Sequence, residues 1–272
     1  MKKLLKFYIN SSIHVALAVV SFSIVTCLNF KIPISGILML FIFCGTVTGY
    51  NFVKYGGTVY GSKSSRVEDF SKIKVFTAIT FICLIFTMFY QSFNVLLVAG
   101  FLGLITILYA LPVFPKNKNL RAIPGLKIYI IVFVVAGVTV ILPLIPYLDN
   151  FHPQDIIIEF IQRCLIAIVL ILPFEIRDLK QDTDLLETIP QKYGIKRTKQ
   201  IGYLLIGTAC FLEFGKEEFH LNYLISLGAL SIMAFIFLKY SIQEQNEFYS
   251  SFWVEAAPFF WLIVLLMLDL IT

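Results

Sequence analysis

The sequence predicts an all-α polytopic membrane protein: a bundle of nine transmembrane helices, N-terminus inside and C-terminus outside. Three observations carry this. Of 272 residues, 58% are hydrophobic, 14% are charged and the mean hydropathy is +0.85, a composition foreign to soluble domains of this size. The apolar residues fall into nine runs, most of them near the ~20 residues that cross a bilayer. All of the 22 Lys and Arg residues except Lys31, Arg163 and Lys216 lie in the segments that alternate onto one side, as the positive-inside rule requires.

The runs cover Ser11 to Asn29, Ile34 to Phe52, Ile73 to Gln91, Phe93 to Leu111, Ile128 to Tyr147, Ile156 to Phe174, Ile201 to Phe214, Phe219 to Lys239 and Phe252 to Ile271. The seventh is short. Lys2, Lys3 and Lys6 precede the first run as in a signal peptide, but no small-residue cleavage site follows, so a retained first span is expected. The longest polar loops follow the second, fourth and sixth runs. All three emerge on the inner face, where they can converge on one site. No linker or low-complexity stretch divides the chain, so residues 1–272 are read as one domain.

Several function classes recede. The net charge of +5 could suggest nucleic acid, but the basic residues sit in short loops that membrane topology explains. Cys27, Cys44, Cys83, Cys164 and Cys210 all lie in apolar runs, suggesting neither a disulfide framework nor a zinc site. The loop after Asn51 contains Gly56, Gly57 and Gly61 without the spacing of a P-loop.

The polar stretch Pro173 to Lys199 stands out. Asp178 and Asp182 are four residues apart and share a face if the preceding helix continues through them. They would sit at a helix C-terminus, where carboxylates are disfavoured unless something positive binds. Such a pair can hold a divalent cation.

Arg177-Asp178-x-x-x-Asp182, followed by Thr188-Ile189-Pro190-x-x-x-Gly194, resembles the second aspartate-rich motif of the UbiA superfamily of intramembrane prenyltransferases. Tyr109-Ala110-Leu111-Pro112, followed by Lys116, Lys118 and Arg121, is similar to the tyrosine-plus-lysine segment after that family's fourth helix. The resemblance implies a UbiA-like bundle that binds an isoprenoid diphosphate at the cytoplasmic face. The prenyl group would pass to a lipophilic acceptor such as a quinone precursor. It further implies Mg2+ on Asp178 and Asp182 as catalytic metal ligands, with Tyr109, Lys116, Lys118, Arg121 and Arg177 binding substrate. A multi-pass protein of the bacterial cytoplasmic membrane is expected, with membrane lipid but no nucleic acid as partner.

The family's first motif, N-D-x-x-D-x-x-x-D, is degenerate. Asn51 is present, but Phe52, Tyr55 and Val59 occupy the aspartate positions and cannot bind magnesium. Lys54 lies among them, a cation where the family has anions. Asn51 and Lys54 are therefore taken as site residues, with Lys54 standing in for one metal or pairing with Asp178. Asp184 and Glu175 can extend the acidic shell. His14 and Glu255, near the inner ends of the first and last runs, are candidates for a base or a hydroxyl contact; Glu159 and Arg163, i and i+4, read as a structural ion pair. Loss of the first motif keeps open a second reading, a non-catalytic member that binds, moves or scaffolds polyprenyl lipids. An ion-coupled transporter would need ionisable residues near the midplane, whereas most of the polar groups gather at one end.

Overall fold

The computed structural model describes residues 2–55, 70–112, 119–180 and 186–271. It is an all-α bundle. In order the helices are α1 (Lys2–Asn10), α2 (Ile13–Asn29), α3 (Gly36–Tyr55), α4 (Phe70–Met88), α5 (Phe93–Ala110), α6 (Lys127–Ala136), α7 (Leu142–Leu144), α8 (Pro153–Asp178), α9 (Ile189–Leu212), α10 (Leu221–Tyr240) and α11 (Ala257–Ile271).

Among the described residues, seven helical segments are long and apolar enough to cross a membrane; the pair α1 and α2, bent by 56°, makes up to eight. All nine apolar runs of the sequence fall on helices. The seventh run is the apolar half of α9, whose first turns carry Lys192, Lys196, Arg197 and Lys199. Its polar start keeps α9 from qualifying as a span, although Thr188, whose backbone N–H donates to Gln191 Oε1 at 2.8 Å, begins it with a normal cap.

Two helical irregularities have local causes. In the fifth run α6 passes into a π-helical turn, Gly137–Ile141, closed by the Leu142 N–H on the Gly137 carbonyl. Pro143 follows immediately and has no N–H to give. Within α9, Gly194 adopts φ 74° and ψ 162°, a combination nearly confined to glycine. A Cβ there would meet no atom within 4 Å, so only the backbone constrains the position. Gly194→Ala is therefore expected to cost about 1–3 kcal/mol, visible as an earlier thermal transition of the detergent-solubilised protein.

Helix α8 sits at the centre. Its Ile166, Ala167, Val169, Leu172 and Ile176 are buried against α6, α9, α10 and α2 in two of the three apolar clusters. Gly202 lets α9 approach closely, since a Cβ there would lie 2.2 Å from Leu238 and 2.9 Å from Leu172, the use of small residues expected where helices pack in lipid. Helices α4 and α5 are peripheral, presenting Ile82, Phe86, Leu97 and Phe101 outward. In a bilayer such exposure carries no hydrophobic penalty.

Basic residues mark one end of the bundle by their contacts. There Lys54 Nζ donates to the Asn10 carbonyl at 3.4 Å, Lys127 pairs with Glu175 at 2.9 Å, and Lys199 Nζ donates to the Lys239 carbonyl at 2.7 Å. At the far end lies a buried ionic network. Arg163 and Glu159, both fully buried, pair at 2.8 Å as their spacing predicts. Lys216 joins them, 2.9 Å from Glu159 and 2.7 Å from Glu213.

Candidate functional site

At the basic end a few polar side chains are accessible yet enclosed by the protein. Tyr50 is 42% accessible although protein encloses it, and Lys54 and Glu255 also keep accessible surface while enclosed. These side chains line a space inside the bundle. Lys54 and Arg177 both lie within electrostatic reach of Glu255, and Tyr50 is within reach of Glu255, Tyr109, Arg177 and Asp178. Helices α3, α5 and α8 and the turn that leads into α11 thus each bring a polar group to one place.

Asp178 is the last residue of α8. Its carboxylate accepts from Arg177 Nε at 2.7 Å and from an Arg177 terminal nitrogen at 3.2 Å. This fork supplies positive charge that a carboxylate at a helix C-terminus needs. The Arg177 guanidinium also lies 5.2 Å from the Phe174 ring, which fixes its plane. Tyr109 is buried in α5, whereas Arg121 is exposed on the short 3-10 turn Leu120–Ala122. Asp182, Asp184, Lys116, Lys118 and Val59 lie outside the described residues.

The remains of the first motif do two different things. Asn51 is buried; its amide donates to the Ser11 carbonyl at 3.1 Å and to Thr77 Oγ1 at 2.8 Å, and its Oδ1 accepts from Ser12 Oγ at 2.6 Å. Ser12 has a left-handed φ of 63°, so Asn51 braces the bend between α1 and α2. Tyr55 donates to the Asn10 carbonyl at 2.8 Å and braces the same bend. Lys54, one position away, also donates to the Asn10 carbonyl, at 3.4 Å, and lies within electrostatic reach of Glu255 and Arg177.

Sequence reasoning passed over Tyr50, an aromatic residue at the end of an apolar run and indistinguishable there from packing. It also offered Glu175 to the acidic shell, but Glu175 is buried and paired with Lys127. His14 has both ring nitrogens engaged, Nδ1 with Tyr8 Oη and Nε2 with the Phe252 carbonyl, each at 2.9 Å. Outside the spans, Lys180 at 2.9 Å from Glu244 holds that carboxyl below its usual value, and Glu187 raises the Lys192 ammonium. Both pairs are exposed and contribute little to stability.

The described residues do not by themselves fit a divalent cation. Magnesium prefers an octahedral set of oxygens. Here both oxygens of Asp178 are already bonded by Arg177, and no cluster of three or more Asp, Glu, His or Cys residues occurs among the described residues.

No family model and no curated protein matches the sequence. Two solved structures match the fold. One is a UbiA homologue from Aeropyrum pernix K1, 10% identical, with a TM-score of 0.63 over 94% of this chain and 98% of that one. The other is a digeranylgeranylglyceryl phosphate synthase of membranes, 19% identical, with a TM-score of 0.52 over 99% of this chain and 98% of that one. At nearly full length, the chain has the UbiA-like fold of these solved structures.

Proposed function

We propose that this protein binds an isoprenoid diphosphate in the hollow at its basic end and transfers the prenyl group to a lipophilic acceptor. The observation that carries the reading is the convergence of Lys54 and Arg177 on one enclosed, accessible space. Two cations in a site shielded from bulk water are suited to a polyanionic headgroup and lose little to solvent screening. Charge asymmetry supports placing that end on the cytoplasmic side, N-in and C-out; a bacterial inner membrane is part of the same proposal. The family resemblance gives Lys116, Lys118 and Arg121 the role of guiding the diphosphate inward.

Chemically, the task is to stabilise a departing diphosphate while an allylic cation is captured. Positioned positive charge does this without itself reacting. Lys54 and Arg177 hold the leaving group, and the face of Tyr50 flanks the developing cation, with the buried Tyr109 nearby. Asp178 keeps the Arg177 fork oriented, and Asn51 fixes the α3 turn from which Lys54 projects. Magnesium on Asp178 and Asp182 is the metal assignment the family resemblance offers; because the described donors do not fit it, no step is routed through it.

The degenerate first motif and the forked Asp178 favour one second reading, a binding member without chemistry. To separate the two, purified protein in lipid is incubated with geranyl, farnesyl or geranylgeranyl diphosphate, acceptors, and either magnesium or a chelator. Acceptor-dependent release of diphosphate supports transfer. Saturable binding without release against any acceptor supports the binding member, and no binding removes both.

A further inference from the structure

Glu255 is the charged group in the hollow that diphosphate binding leaves unused. It follows the π-helical turn Tyr249–Val254, which its own N–H closes on the Ser250 carbonyl at 3.2 Å. π-helical turns are rare, and they are frequent at functional sites. His14 fixes this turn: Nε2 is 2.9 Å from the Phe252 carbonyl and the ring stacks on Phe252 at 5.0 Å. Having both nitrogens engaged, His14 positions the turn and has no capacity left for a substrate.

Glu255 differs in kind. It accepts no hydrogen bond and pairs with no cation within 4 Å among the described residues, yet protein surrounds it and Lys54, Arg177, Tyr8 and Tyr50 lie within electrostatic reach. Enclosed carboxylates normally find donors in the protein or in water. A ligand carrying an O–H group would supply the missing donor. Asp178, the other carboxylate placed at the hollow, is already occupied by Arg177.

We propose that Glu255 binds the hydroxyl of the lipophilic acceptor and takes its proton during prenyl transfer, an inference that rests on the prenyl-transfer reading. The C–O bond between the prenyl carbon and the diphosphate breaks, its electron pair leaving on the diphosphate. The acceptor oxygen forms a new C–O bond to that carbon, and its proton passes to the Glu255 carboxylate, then to water. Lys54 and Arg177 hold the departing diphosphate, and Glu255 takes the proton that the acceptor oxygen loses.

The hydroxyl can come from a lipid alcohol or a phenol, and the assay carries one arm of each. Transfer kinetics are measured for wild type, Glu255→Gln and Glu255→Asp, together with the Kd for inorganic pyrophosphate. Glu255→Gln is expected to lower kcat by about 100-fold or more, the usual range for a lost proton acceptor, in the arm that supplies the natural hydroxyl. Pyrophosphate affinity should stay unchanged or tighten, because a negative charge near Lys54 and Arg177 has gone. Glu255→Asp should recover part of kcat. An active wild type with an unaffected Glu255→Gln variant overturns the Glu255 assignment alone; so does loss of pyrophosphate binding in parallel with turnover. A wild type that transfers to neither arm overturns this inference together with prenyl transfer to hydroxyls.

Discussion

Arg163→Met is expected to destabilise the protein by about 3–5 kcal/mol, the cost of leaving a buried ionic partner uncompensated. Arg163 donates to the Phe22 carbonyl at 2.7 Å and to Thr26 Oγ1 at 3.1 Å, and its guanidinium lies 4.7 Å from the Phe22 ring and 5.0 Å from the Trp261 ring. It therefore ties α2, α8 and α11 together. With Arg163 gone, Glu159 keeps Lys216, the Tyr223 hydroxyl at 3.0 Å and Asn29 Nδ2 at 3.0 Å. Two carboxylates, Glu159 and Glu213, then share the single ammonium of Lys216. The double variant Glu159→Gln/Arg163→Met restores charge balance and should recover most of the loss. Thermal unfolding of Arg163→Met, Glu159→Gln and the double variant in one detergent checks this; strictly additive losses would count against a coupled network.

The second large effect concerns the hollow. Charged hydrogen bonds to a ligand contribute about 1.5–3 kcal/mol each, so Lys54→Ala should weaken pyrophosphate binding by roughly 10- to 100-fold. Arg177→Ala should weaken it more, because it removes a cation and also releases Asp178 as an unpaired anion facing the ligand. Arg177→Lys will rescue it poorly: an ammonium lacks the planar fork that holds both Asp178 oxygens. Titration calorimetry on the detergent-solubilised variants gives the ranking, and an Arg177→Ala loss smaller than that of Lys54→Ala would contradict this charge arrangement.

The fold was legible because burial in lipid leaves its mark on single residues: each helix needs its own apolar run. Legibility failed where two signals overlap. In α9 the apolar run starts at Ile201, yet the helix begins at Ile189, because a cap at Thr188 and Pro190 in the first turn support a polar start that hydropathy does not register. At the site, Arg177, Asp178 and Lys54 could be singled out by pattern. Their partners could not, since Glu175 meets Lys127 and Glu255 nears Lys54 only after the bundle closes. The Glu159 and Arg163 pair was readable from its i, i+4 spacing, but Lys216, which looked like an ordinary loop cation, enters the network through a distant turn. Tyr50 was invisible for the opposite reason, an apolar-run aromatic whose exposure to the hollow is a tertiary property.

The most direct measurement is a structure with a non-hydrolysable isoprenoid thiolodiphosphate bound. The diphosphate is predicted to lie between the Lys54 ammonium and the Arg177 guanidinium, with the prenyl chain running into the bundle past Tyr50 and Tyr109. A diphosphate bound anywhere else, or a hollow filled by a lipid acyl chain at saturating ligand, would contradict the assignment of this space as the isoprenoid site.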